Sequence, residues 1–177
     1  MTPEERAFLE RARVGSLATV DGKGRPHAVP ICFALLESAA RADPTDTNGP
    51  QCSDTDGSTD RIVSAIDEKP KSTRELQRVR NVRATPRVTL LVDRYRENWS
   101  RLAWVQVRGR ARVLEPGATA DASRHAAAVS ALESKYDQYA THDLDERRVI
   151  SIRIDRTVSW GALEAAETSG EDRGRRP

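Results

Sequence analysis

The chain has 177 residues, enough for one domain with a buried core, and 32% of them are charged. Its 29 Lys and Arg nearly cancel its 27 Asp and Glu, leaving a formal net charge of +2, so charge alone marks neither a nucleic-acid nor a membrane partner. No apolar run has the length of a membrane span or signal peptide, so a cytoplasmic protein is expected. Cys32 and Cys52 lack CxxC spacing and read as free thiols, with no Cys/His cluster for a metal.

Thr2, Pro3 and Glu5 form a capping box that opens a helix, with Phe8, Leu9 and Ala12 on one face and an end near Gly15. Ser16 to Val20 reads as a strand. The turn Asp21-Gly22-Lys23-Gly24 joins it to a second strand, Pro26 to Leu36, as a hairpin. Residues 37–60 are rich in Asp, Thr, Ser, Gly and Pro and almost lack large apolar side chains, which predicts a mobile polar insertion. Arg61 to Ile66 returns to a strand pattern. Ser72 and Glu75 form a second capping box, opening a helix that carries Leu76, Val79 and Val82 until Pro86. Val88, Leu90 and Val92 alternate as a strand.

Leu102 to Leu114 is the longest alternating run. Ala103, Val105, Val107, Ala111 and Val113 share one face, and Trp104, Gln106, Arg108, Arg110 and Arg112 the other. Gly109 interrupts the apolar face and suggests a bulge. A helix from Thr119 to Tyr136 follows, with Ala122, Ala126, Val129 and Leu132 at helical spacing. A last strand places Ile150, Ile152, Ile154 and Val158 on one face. These elements make about six strands and three helices in a mainly β domain, residues 1–162, with a polar and disordered tail at 163–177. Tight turns between strands favour a small antiparallel barrel over a parallel sheet.

The chain contains no GxSxG, HExxH or P-loop. His125 reads as structural, His142 as a loop residue, and His27 as a strand residue placed where a ligand could approach. Basic residues crowd the stretch from Lys69 to Arg94. Lys69, Lys71, Arg74 and Arg78 fall at a strand end, a turn and a helix start, a placement suited to a phosphate; a solvated basic helix accounts for the same residues, and Arg80, Arg83 and Arg87 are read that way. Trp99 and Trp104 flank the start of the long strand and Arg108 follows on the face of Trp104. That set suits either a stacked heterocycle with an anionic tail or a pair of core tryptophans beside a solvated Arg row.

The segments VGSLATVDGKGRPHAVPICFAL, RIVSAIDEKPKSTRELQRVRNVRATPRVTLLVDRY and NWSRLAWVQVRGRARVL, in this order after the N-terminal helix, resemble the pyridoxamine-phosphate-oxidase-like (PPOX class) FMN-binding split barrels. The resemblance runs from residue 5 to about 160, outside the insertion at 37–60. DEKPK, LLVDRY, NWS and WVQVRGRA look closest to the branch that uses the deazaflavin coenzyme F420. It implies a homodimer of six-stranded antiparallel split barrels with cofactor sites at the interface. It also implies hydride transfer from reduced deazaflavin to an organic acceptor, without a dedicated catalytic side chain. The family's phosphate-binding positions fall on Lys69, Lys71, Arg74 and Arg78, the last where many members carry Lys; Trp99, Trp104 and Arg108 complete the expected cofactor set. The alternatives are an FMN-dependent oxidoreductase of the same fold, or a non-enzymatic binder of flavin, haem or tetrapyrrole, for which His27 or His142 would be the axial ligand. A nucleic-acid-binding barrel lacks the repeated exposed aromatics that single-strand binding uses.

Overall fold

The computed structural model describes residues 1–37, 60–66 and 75–164. Thr2 and Glu5 close the expected capping box: the Thr2 hydroxyl accepts from the Glu5 N–H at 3.2 Å and the Glu5 carboxylate accepts from the Thr2 N–H at 2.9 Å. The helix they open, α1 (Pro3–Arg11), stops before Gly15. Gly15 belongs instead to β1 (Val14–Val20), where a Cβ would stand 2.9 Å from the Leu90 and Val92 side chains.

β1 pairs with β2 (Pro26–Cys32) through the expected hairpin. The Asp21 carboxylate holds the turn by accepting from the N–H groups of Lys23 and Arg25, both at 2.9 Å. The strand expected to run on to Leu36 is broken. Phe33 leaves the ladder, and β3 (Ala34–Leu36) pairs with β4 (Arg61–Ala65) instead. The cause is distant in sequence: the buried Tyr136 hydroxyl accepts from the Phe33 N–H at 2.9 Å and lies 2.8 Å from the Phe33 carbonyl, occupying both of its backbone groups. The sheet therefore has seven strands rather than six, a curled antiparallel split barrel in the order β2-β1-β5-β6-β7-β4-β3, where β5 is Arg87–Arg94, β6 Ala103–Leu114 and β7 Val149–Gly161.

α2 (Gln77–Ala84) begins at Gln77, so Glu75 is not its capping-box residue. The Glu75 carboxylate is engaged elsewhere, pairing with Arg83 and, at 2.9 Å, with Arg148. Its expected partner Ser72 lies outside the described residues, as do 38–59 of the polar insertion and 165–177 of the tail. α3 (Ala122–Lys135) follows a short 3-10 turn. It buries His125, Ala128, Val129 and Leu132; Ala122 and Ala126, expected on that face, are exposed.

β6 alternates as its sequence predicts. The irregularity near Gly109 falls on its neighbour: Arg108 faces Arg156 and Gly109 faces Ile154, so Asp155 is the extra, bulged residue of β7. Gly109 is required there, because a Cβ would sit 2.1 Å from the Arg153 carbonyl oxygen. The bulge reverses the phase of β7. Val158, expected to share a face with Ile154, instead pairs with Gln106 on the outer face, and Thr157 turns inward opposite Val107.

Two clusters make the core. One fills the concave side of the sheet with Leu17, Leu90, Val105, Val107 and Ile152, closed by Phe8 and Leu9 of α1 and by Val79 and Val82 of α2. The other lies where Val129 and Leu132 of α3 meet Ala34, Val63, Leu114 and Val149. The inward Thr157 hydroxyl donates to the buried Glu5 carboxylate at 2.7 Å and ties α1 to β7. Burial works against the Glu5 charge, but hydrogen bonds from Thr157, the Thr2 backbone and Ser159 outweigh it and hold this carboxyl below its usual range. No described helix is long and apolar enough to cross a membrane.

Candidate functional site

α3 packs over β3 and β4, covering only one end of the sheet's outer surface. The other end presents two cross-strand rows. Ala28, Ala18, Thr89, Arg108 and Arg156 stand side by side in one, and Pro30, Ser16, Leu91, Gln106 and Val158 in the next. Asp93, Trp104 and Trp160 align beyond them. Val14, Leu91 and Trp160 on this face are exposed apolar side chains, 52%, 36% and 55% accessible.

A groove of about 570 Å³ crosses this face. Ala18, Val20, Pro26 and Thr89 give it a floor of small, mostly apolar side chains, while Arg87, Arg108 and Arg110 bring three guanidinium groups to its rim. Arg87 and Arg110 are register partners on β5 and β6, so strand pairing places two like charges side by side. One carboxylate offsets them: Asp155, thrown out by the bulge, lies 3.9 Å from Arg110 and 3.0 Å from Arg153. The Arg108 Nε donates to the Gln106 amide oxygen at 2.8 Å, which steadies a guanidinium that lines the groove. Its size lies in the range of small-molecule sites, and a flat apolar floor under a cationic rim suits a planar ring carrying an anionic tail.

Of the expected cofactor residues, Arg108 lines this groove, and Trp104 stands on the same face, opposite Trp160. Trp99, 75% exposed, lies on the short 3-10 turn that leads into β6. Arg78 is on α2, whose apolar face enters the concave core, and it does not line the groove. Lys69, Lys71 and Arg74 lie outside the described residues. Arg87, read from sequence as part of a solvated face, lines the groove, as does Asp155, and Trp160 stands on the same outer face opposite Trp104. Only strand register reveals these three, because their neighbours are remote in sequence.

The histidines occupy separate places. His125 is buried on α3, its Nε2 2.7 Å from the Arg147 carbonyl oxygen, which is a structural role. His142 stands edge-on to Tyr139. His27 faces inward beside Thr19, with its Nδ1 buried and without a hydrogen-bond partner among the described residues. Among the described residues no three His, Cys, Asp or Glu side chains are placed to hold a metal ion, and Cys32 is a free thiol.

The chain belongs to the pyridoxamine 5'-phosphate oxidase family, whose N-terminal domain model matches residues 1–161. No curated protein matched the sequence. Among solved structures it is similar to a conserved hypothetical protein of Mycobacterium tuberculosis, Rv2991, at 21% identity and a TM-score of 0.60, over 97% of this chain and 94% of the other. It is also similar to an FAD-binding protein of Mesorhizobium loti, at 20% identity and a TM-score of 0.53 over 90% and 94% of the two chains. A heme binding protein of Mycobacterium smegmatis shares the fold at 19% identity and a TM-score of 0.56, with 92% of this chain matching 54% of that longer one.

Proposed function

We propose that this chain is a homodimeric oxidoreductase that uses the deazaflavin coenzyme F420, with the ring seated on the outer-face groove. The observation that carries the reading is the groove itself, a small-residue floor with three guanidinium groups at its rim on a face that exposes Leu91 and Trp160. Arg108 and Arg110 would hold anionic groups of the cofactor, Ala18 and Thr89 would lie against its ring, and Trp104 would stack at the far end. Lys69, Lys71, Arg74 and Arg78 extend the anion site in this proposal, with Trp99 as a further stacking surface. When bound, the reduced coenzyme supplies a hydride to an organic acceptor. The protein's part is to orient the ring and, with a second copy closing the face, to exclude water. The similarity to an FAD-binding protein supports flavin binding in general and makes FMN the second reading.

The test is a pair of fluorescence titrations, with oxidised F420 and with FMN, on the wild type, Arg108→Gln and the double variant Lys69→Ala with Lys71→Ala. The expected result is preferential F420 binding that quenches tryptophan emission. Each charge-assisted contact is worth about 1.5–3 kcal/mol, so Arg108→Gln should lose roughly tenfold or more and the double variant roughly a hundredfold or more. Preference for FMN replaces the cofactor; binding of neither, or of haem alone, overturns the proposal. Light scattering at micromolar concentration should give twice the chain mass, and a monomer would remove the closed site.

A further inference from the structure

The C-terminal ends of α1 and α3 meet, and each leaves carbonyl oxygens that no helical N–H reaches. Cations answer them crosswise. Lys135, the last residue of α3, donates its amine to the Leu9 carbonyl of α1 at 3.2 Å. Arg13, just beyond α1, donates to the Lys135 carbonyl at 2.7 Å. The exchange draws two like charges toward one ring. The Arg13 guanidinium carbon lies 4.6 Å and the Lys135 nitrogen 5.7 Å from the centroid of Tyr136, and the lysine nitrogen lies 4.2 Å from that of Phe33. Carbonyl oxygens and rings hold both cations; among the described residues neither forms an ion pair with a carboxylate.

A lysine so placed is a nucleophile. Its pKa falls from 10.5 to about 8, first by burial and then by the Arg13 charge, with Glu10 and Cys32 acting the other way. Tyr136, whose ring the amine faces, is a buried phenol with a raised pKa and stays neutral. At pH 7 roughly a tenth of the Lys135 amine is therefore neutral, against less than about a thousandth for a lysine at its ordinary pKa. The side chain is half-buried rather than sealed, and Arg13 beside it is exposed. Arg13 also lines a concavity of about 270 Å³ at the end of α1, room for a small acid. Desolvation against apolar rings and a neighbouring cation are the two devices that prepare a lysine to attack a carbonyl carbon. The same cation selects the electrophile, since a guanidinium fork with no carboxylate of its own attracts one from solution.

We infer that Lys135 is a covalent binding site for a small 2-oxo acid, its amine forming an imine at the oxo carbon while Arg13 draws the carboxylate. In that step the neutral nitrogen adds to the carbonyl carbon, and its two protons leave with the carbonyl oxygen as water. The bond is reversible and needs neither oxidant nor reductant. The inference does not rest on the deazaflavin reading. The test incubates the full chain with glyoxylate and cyanoborohydride, whose hydride reduces the imine to a stable carboxymethyl amine, and maps the product by peptide mass spectrometry. Lys23, exposed on the hairpin turn, is the internal reference, and acetaldehyde is the uncharged comparison. At pH 7 glyoxylate should modify Lys135 roughly tenfold or more faster than Lys23, and acetaldehyde should show a ratio at least about threefold smaller. Arg13→Gln changes an exposed position, where unchanged circular dichroism verifies the fold. It should remove the preference for the acid and move the midpoint of the Lys135 pH–rate profile upward. Equal labelling of Lys135 and Lys23 overturns the assignment. So does a Lys135 ratio that acetaldehyde matches, or a preference and pH midpoint that Arg13→Gln leaves unchanged.

Discussion

Replacing Tyr136 by Phe should cost far more than the loss of one hydroxyl suggests. The ring is 1% exposed, and its oxygen accepts from the Phe33 N–H at 2.9 Å while lying 2.8 Å from the Phe33 carbonyl and 2.7 Å from that of Arg13. Burial raises the phenol pKa, so the group stays a neutral donor and acceptor at ordinary pH. Phenylalanine keeps the ring beneath Arg13 and strands one buried N–H and at least one carbonyl. Each unsatisfied group costs about 1–3 kcal/mol, so the sum is about 2–6 kcal/mol. For a chain of this length that is about 4–24 °C in Tm. The assay is urea and thermal unfolding by circular dichroism at one fixed chain concentration, which keeps any self-association constant. Tyr95→Phe, at a position 67% exposed, is the control and should fall within about 0.5 kcal/mol of wild type. A Tyr136→Phe change equally small would refute the reasoning. It would mean that Phe33 regains partners, with β2 and β3 fusing into the one strand that the sequence suggests.

Gly109→Ala brings a Cβ within 2.1 Å of the Arg153 carbonyl, so either β6 or β7 must move; at least the upper part of the usual 1–3 kcal/mol for overpacking is expected in the same unfolding assay. Lys135 titrates at about 8 when folded and at its ordinary 10.5 when unfolded, so the unfolded chain holds the extra proton between those values and stability rises with pH across that window. Below pH 8 both states are protonated and the penalty is constant, so Lys135→Met should lose the rise, as urea midpoints measured through the window will show.

What the sequence makes legible is what short range decides. The Thr2–Glu5 box, the Asp21 turn and the alternation of β6 each depend on residues within a few positions of one another, and each folds as read. The break at Phe33 depends on a hydroxyl 103 positions away, and no local pattern carries that information. The face of α3 is misplaced for a related reason: His125 finds the Arg147 carbonyl, and a hydrogen-bonded histidine is buried where alanine spacing alone would have put Ala122 and Ala126. The outward placement of Arg108 and Trp104 is legible because the long strand declares its two faces. Arg87 is not, since its place beside Arg110 exists only once β5 and β6 are in register.

The bulge at Asp155 connects the core to the outer face. If Asp155 took a regular place in the ladder instead of bulging, strict alternation from Ile152 and Ile154 would drive Arg156 and Trp160 into the concave core and turn Thr157 outward. A buried guanidinium without a partner and a Glu5 carboxylate without its Thr157 hydroxyl would both be costly. With the bulge, β7 divides. Its first half supplies Ile150, Ile152 and Ile154 to the core; its second half supplies Thr157 and Ser159 to Glu5 on the inside, and Arg156, Val158 and Trp160 to the outer surface. The same insertion throws Asp155 between Arg110 and Arg153, where it tempers the positive rim of the groove. Gly109 is the matching concession on β6, the residue without a side chain opposite the place where the partner strand bends closest. The polarity of the outer face therefore follows from one extra residue in one strand, and periodicity read along that strand alone assigns Val158 to the wrong side.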